Sequence, residues 1–230
     1  HGRNSEVTED RLGNHWVQYA LRQMYGSETA TSVLTKGGTV DLSYTIWPDK
    51  TKPRYPFRIN AVAATIGAER GINMTIRPLA SNPSPLSEQN IEPRLREASE
   101  GDNGGYLIWG VTGSGKTTPI GGINRDRLEN PDCHCNIVEG SAPLEILYDL
   151  VERKNATISQ SEIPRQIKSF AEFIRAAVRQ EPTDIVVGEC REPETMEAAI
   201  QAMISGHRLI SSIHTFDPPS TIRRIEALCP

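Results

Sequence analysis

The sequence predicts an α/β protein, with a mostly parallel sheet carrying a phosphate-binding loop, preceded by a smaller α+β domain. Three observations carry this. Through the second part of the 230-residue chain, apolar strands alternate with helices, as in a parallel sheet with helices on its faces. Residues Gly110-Val111-Thr112-Gly113-Ser114-Gly115-Lys116-Thr117 fit the pattern GxxxxGK[ST]. The stretch Pro78-Leu79-Ala80-Ser81-Asn82-Pro83-Ser84-Pro85 can continue neither a helix nor a central strand. It divides the chain into an α+β domain at 1–78, a linker at 79–85 and an α/β domain at 86–230.

In the first domain, Trp16, Tyr19, Ala20, Gln23 and Met24 fall at helical spacing, and Gly26 follows as a C-cap. Residues 39–46 alternate with period two, as a half-buried strand does. Residues 57–62 and 72–77 alternate likewise and read as neighbouring strands, with Arg58 and Arg77 on the wet face.

In the second domain, Gly105 to Trp109 reads as a strand and a helix runs from Gly115. A strand from Cys135 to Glu139 is followed by a helix over 164–180, with Ser161 as its cap and Pro164 early. Phe170, Phe173, Ile174, Ala177 and Val178 form its apolar stripe. Next come a strand at 184–187, a helix at 193–204 with Met196, Ala199, Ile200 and Met203 inward, and a strand at 208–213. Ligands of such sheets bind outside the C-terminal ends of the strands.

The motifs fall at strand ends. Glycines in the loop 110–117 let backbone N–H groups approach phosphate oxygens, and the following helix adds its positive end. Lys116 would reach β- and γ-phosphates, and Thr117 would offer a hydroxyl to Mg²⁺. Asp184-Ile185-Val186-Val187-Gly188-Glu189 is an apolar strand that delivers an acid, Glu189, next to that metal and phosphate. Glu139 and Glu145 are further acids that can aim at the same place. His207 and His214 bracket the last strand, where a histidine can donate a hydrogen bond to the γ-phosphate. Arg58, Arg77, Arg175, Arg179 and Arg191 are candidates for neutralising phosphate charge.

Composition narrows the function classes. A net charge of −4 and a pI near 5.8 give no basic excess, so direct nucleic-acid binding is not expected. No run of 18 apolar residues and no signal-peptide pattern occurs. The chain begins at His1 and is read as a fragment of a longer polypeptide. The scatter of Cys133, Cys135, Cys190 and Cys229 predicts reduced thiols in a cytosol, and Cys133-His134-Cys135 lacks the second ligand pair that a structural zinc needs.

Taken in order, GVTGSGKTT, IVVGECREPET and SGHRLISSIHT resemble the secretion ATPase superfamily of type II and type IV secretion and type IV pili. The phrases Ser159-Gln160-Ser161-Glu162-Ile163-Pro164-Arg165 and Tyr55-Pro56-Phe57-Arg58-Ile59-Asn60 resemble its Dot/Icm-type and IncI-plasmid conjugation branch. The likeness spans roughly residues 15–226. It implies a PAS-like N-terminal domain, a RecA-like ATPase domain, ATP and Mg²⁺ between them, and a homo-hexamer. Such rings sit in the cytoplasm at the inner face of the inner membrane, held there by partner proteins of the secretion machinery.

Carried over by motif, Gly110, Thr112, Gly113, Ser114, Gly115, Lys116, Thr117 and Thr118 bind nucleotide, with Thr117 and Glu189 at the metal. Glu189, Glu145 and His214 are implied in catalysis, and His207, Arg58 and Arg77 in nucleotide contact. The chain departs from the family in four places. Extra residues between Glu139 and Pro143 leave open which glutamate is the acidic-box residue. Pro119, Gly121 and Gly122 interrupt the helix after the loop, each glycine costing roughly 1 kcal/mol against alanine. Arg191-Glu192 replaces the family's Arg-Asp, and the sequence stops at Pro230, short of the family's helical C-terminal region. Three other readings stay open: a pilus-retraction motor, a nucleotide-gated assembly module with little turnover, and a small-molecule kinase. The kinase reading lacks a second substrate motif.

Overall fold

Two sheets of opposite character organise the chain. The structure is a computed structural model describing residues 13–49, 51–52, 54–66, 68–80 and 82–229. Residues 1–12 of the expected first domain, Ser81 of the expected linker and the terminal Pro230 lie outside the described residues.

The first sheet is antiparallel in the order β1-β2-β3, with β1 at Thr39–Ile46, β2 at Tyr55–Ile66 and β3 at Glu69–Pro78. Alternation buries Val40, Leu42, Ile59 and Ala61 on one face, against Leu21 of helix α1 (Asn14–Tyr25) and Ala30 and Leu34 of α2 (Ala30–Thr35). Gly26 ends α1 in the left-handed conformation at φ 76°, its N–H donating to Arg22 O, as the sequence predicts. The inward face of α1 differs from the expected one. Leu21 is buried, whereas Trp16 and Tyr19 stand in solvent.

The second sheet has five parallel strands in the order β4-β8-β7-β5-β6. These are β4 (Gly104–Trp109), β5 (Asn136–Ser141), β6 (Thr157–Glu162), β7 (Asp184–Val187) and β8 (Arg208–Ile213). One face is covered by α5 (Phe170–Ala177), α6 (Pro193–Ile204) and α7 (Pro218–Leu228) around Phe170, Phe173, Ile174, Met196 and Leu209. The other is covered by α4 (Thr117–Glu129) with Ile120, Ile123, Leu128 and Tyr148. Helix α3 (Pro93–Ala98) leads into β4. Packing at β5 leaves no side-chain room at Gly140, where a Cβ would stand 2.6 Å from the Phe173 ring.

The glycines of α4 have a packing reason. A Cβ on Gly121 would lie 2.5 Å from Ile146 Cδ1 and 3.0 Å from Pro83 Cβ. One on Gly122 would lie 2.3 Å from Gln89 Nε2 and 3.0 Å from Leu86 Cδ2. The segment after Asn82 therefore lies directly on the helix, and the propensity lost to glycine is exchanged for burial.

Two expectations are corrected here. The helix predicted over 164–180 is shorter, running over Phe170–Ala177, because residues 163–168 form turns after the edge strand β6, in which Ser161 lies. The cap of α5 is Ser169, whose side chain accepts from Glu172 N. The expectation of reduced thiols fails for one pair, since Cys133 and Cys135 form a disulfide in the turn entering β5. With one residue between them, the bend holds their Cα atoms 5.4 Å apart, within disulfide reach. Cys190 and Cys229 are free.

Candidate functional site

Parallel pairing gathers the ends of β4, β8, β7 and β5 along one edge, and four of the expected motifs stand there. The loop after β4 turns through Gly113 (φ 80°) and Gly115 (φ 86°), a region that favours glycine. Gly110 is buried where a Cβ would come within 2.5 Å of Ser114 Oγ, so the loop can close only around a bare backbone. Thr118 N donates to Gly115 O at 3.0 Å as α4 begins. Thr112, Gly113, Ser114, Gly115, Thr117 and Thr118 are all exposed, leaving the concave side of the loop open.

Lys116 is buried beneath the loop. Its ammonium donates to Gly110 O and Val111 O, each at 2.9 Å, and stands 3.3 Å from His214 Nδ1. An ammonium only donates, so Nδ1 accepts and the His214 proton is assigned to Nε2. That Nε2 lies 3.8 Å from Glu189 Oε2, and Glu189 Oε1 lies 3.2 Å from Arg191 Nη1. His214 follows β8, which lies between β4 and β7, so its ring bridges the loop lysine and the acid.

Glu145 joins the two sheets. Its Oε2 accepts from Thr117 Oγ1 at 2.8 Å, and its Oε1 accepts from Arg58 Nη1 at 2.9 Å. Arg58 also grips Asp41 through Nε at 3.2 Å and Nη2 at 2.9 Å. Arg77 is the cross-strand neighbour of Arg58 and is exposed. Both arginines line a cavity of about 290 Å³ with Thr117, Thr118 and Glu145. The residues suit a phosphorylated ligand with a hard cation. The loop's backbone N–H groups, one ammonium and two guanidinium groups are donors suited to phosphate oxygens, and a hydroxyl and carboxylates supply the oxygens that Mg²⁺ takes.

Glu139 stands apart from this edge cluster. Its carboxylate is buried, accepting from Ser141 Oγ at 3.0 Å and Gln160 Nε2 at 3.1 Å. Burial pushes the carboxyl up to about 7 from an ordinary 4.5, against those two hydrogen bonds, with the charge of Glu145 adding to the rise. Between these values the folded chain holds a proton that the unfolded chain has lost. Stability is therefore expected to fall as pH rises through that window, by roughly 3 kcal/mol at most. Urea midpoints measured across it should show this slope in the wild type and a flatter one in Glu139→Gln.

His207 is not brought to the site. It precedes β8, at the opposite end of the strand from His214, and its Nδ1 lies 3.2 Å from Ala202 O. Six residues of strand separate the two histidines, roughly 20 Å at about 3.3 Å per residue. The expectation that both flank the active edge is corrected, because a parallel strand sends the residues before and after it to opposite edges. Arg175 and Arg179 are exposed on and after α5, and no hydrogen bond or ion pair ties them to the loop among the described residues. Asp41 and Gln160, which orient Arg58 and Glu139, carry no sequence signal, since each reaches its partner across a sheet.

The profile of the family described as "Type II/IV secretion system protein" matches residues 52–229. The type IV pilus retractation ATPase PilT of Pseudomonas aeruginosa is 31% identical over 174 residues, 76% of this chain and 48% of that protein. Among solved structures, the X-ray structure of the Legionella pneumophila ATPase DotB aligns at TM-score 0.80 and 35% identity, covering 98% of this chain and 60% of that one. The pilus retraction motor PilT with bound ADP aligns at TM-score 0.76 and 28% identity, covering 94% and 58%. The chain spans about half the length of the curated relatives it matches.

Proposed function

Because this chain belongs to the type II/IV secretion system protein family, we propose that it hydrolyses ATP as the motor of a type IV secretion machine of the conjugative, Dot/Icm-like kind. One observation carries the reading most directly. Lys116, Thr117, Glu145, Glu189, His214 and Arg58 come from separate segments of both sheets and meet around one glycine loop. The DotB likeness over 98% of the chain supports the secretion branch.

Bound MgATP would supply the phosphoanhydride bond to be cleaved and a metal charge against its oxygens. Lys116 would leave the carbonyls of Gly110 and Val111 and donate to phosphate oxygens. The Thr117 hydroxyl would leave Glu145 to take its place at Mg²⁺, with Glu189 also at the metal. Glu189 would orient the attacking water and accept its proton, and His214 would hold the hydrogen-bond order between acid and loop. Arg58 and Arg77 would approach the nucleotide from the first sheet. A homo-hexamer in the cytoplasm, docked on inner-membrane secretion proteins without touching nucleic acid itself, is the assembly this reading requires. No helix among the described residues is long and apolar enough to cross a membrane.

The likeness to PilT supports pilus retraction as a second reading of the same motor. A nucleotide-gated module is supported by Lys116 and Thr117 both being engaged within the protein. Steady-state phosphate release by the full-length protein separates hydrolysis from gating. Mg²⁺-dependent turnover is expected, and ATP binding with background release would overturn the motor reading.

A further inference from the structure

We infer that Glu162, which lies outside the loop and its acids, is a positioning residue that seats the edge strand β1 so that Arg58 reaches Glu145. The inference rests on the motor reading of the site, which gives the Arg58–Glu145 contact its purpose. Glu162 ends β6 and its side chain is 5% exposed. Its Oε1 accepts from Ser43 N of β1 at 2.6 Å, across 119 residues of sequence. Arg165 completes the grip. Its Nη1 donates to Ser43 O at 3.5 Å and stands 3.6 Å from Glu162 Oε2. Acid and guanidinium thus hold the N–H and C=O of Ser43 as a neighbouring strand would.

The register gives this grip its reach. Ser43 is the direct cross-strand partner of Arg58. In an antiparallel pair the N–H and C=O of one residue point the same way, so those of Ser43 face outward, away from β2. Such non-hydrogen-bonded pairs have Cα atoms only about 4.5 Å apart, so a shift of Ser43 is passed to the Arg58 backbone. Arg58 holds Glu145, and Glu145 holds Thr117. These two ties, which stand beside an Arg54–Asp149 ion pair at 3.5 Å, therefore differ in kind. Arg58–Glu145 lies in the cavity beside the loop, where a ligand competes for both groups, whereas Glu162–Ser43 involves no proposed ligand contact. A nearly buried carboxylate is costly unless hydrogen-bonded, and the charge-assisted bond to Ser43 N meets that need at the seat.

The full-length protein carries the test as Glu162→Ala, Glu162→Gln and each combined with Arg58→Ala. Glu162→Ala is expected to lower kcat by on the order of tenfold with KM for ATP within twofold, as misplacement of a charged group does. Glu162→Gln should recover most of that loss, because its amide oxygen accepts the same N–H. In the Arg58→Ala background Glu162→Ala should add nothing, since it acts through Arg58. Multiplying losses, or an unchanged kcat in a folded Glu162→Ala protein, would overturn the inference. Should Glu162→Ala not fold, Arg165→Ala removes the half-exposed side of the grip and is read against Arg58→Ala in the same way. A wild type without turnover would defeat the motor reading alone. The seat is then read from denaturation cycles, in which Arg58–Glu145 coupling should vanish in Glu162→Ala and persist in Glu162→Gln. Coupling retained in both would end the inference.

Discussion

Replacing Lys116 by alanine is expected to lower Mg²⁺-dependent ATP turnover by on the order of 10³-fold, the scale of losing one preorganised donor to developing charge. The thermal midpoint should move by no more than a few degrees. The ammonium is satisfied by Gly110 O and Val111 O, and Val111 lies in solvent, so its carbonyl region regains water when the side chain is removed. The lysine draws the loop together, a role that would end if phosphate oxygens accepted its hydrogen bonds instead. Phosphate release and melting measured on the same preparation check both halves. Turnover near the wild-type rate would remove Lys116, and with it the loop, from the chemistry.

Glu189→Gln is the second large effect. Turnover should fall by roughly 10²–10⁴-fold, the range for a positioned proton acceptor, while nucleotide binding stays within a few-fold. The amide keeps the shape beside Arg191 and His214 but takes no proton from water. Single-turnover phosphate release and equilibrium titration with a fluorescent nucleotide separate rate from affinity. Loss of binding along with rate would make Glu189 a metal ligand before a base, and an unchanged rate would reassign the acid.

What the sequence discloses follows from how local each signal is. The loop 110–117, the strand ending at Glu189 and the strand 208–213 are contiguous, and their strand bounds agree with β7 and β8. The α/β class with a mostly parallel second sheet holds, because alternation of strands and helices dictates it. β6 carries little signal, because an edge strand needs no apolar run and Ile158 is the one large apolar side chain in Thr157–Glu162. The signal for the true start of α5 was present, as Ser169 stands three residues before Glu172 in a capping pattern. His207 was also within reach, since a strand in an all-parallel sheet delivers only its C-terminal flank to the ligand edge. The meeting of Arg58, Glu145 and Thr117 was not, because it depends on how one sheet sits beside the other. No spacing within a segment encodes it.

Residues 83–89, which follow the first sheet, are seated tightly on α4. Helix α4 begins at Thr117, and Gln89 Nε2 reaches Thr118 O at 3.1 Å. Upstream, Leu147 N donates to Ala80 O at 3.4 Å, a second mooring point. Were the first sheet to turn, this anchored segment would carry the motion to the end of the rod that bears the phosphate loop, rather than dissipate it in a loose leash. Torque delivered there would register as a change in how firmly the loop grips its cargo.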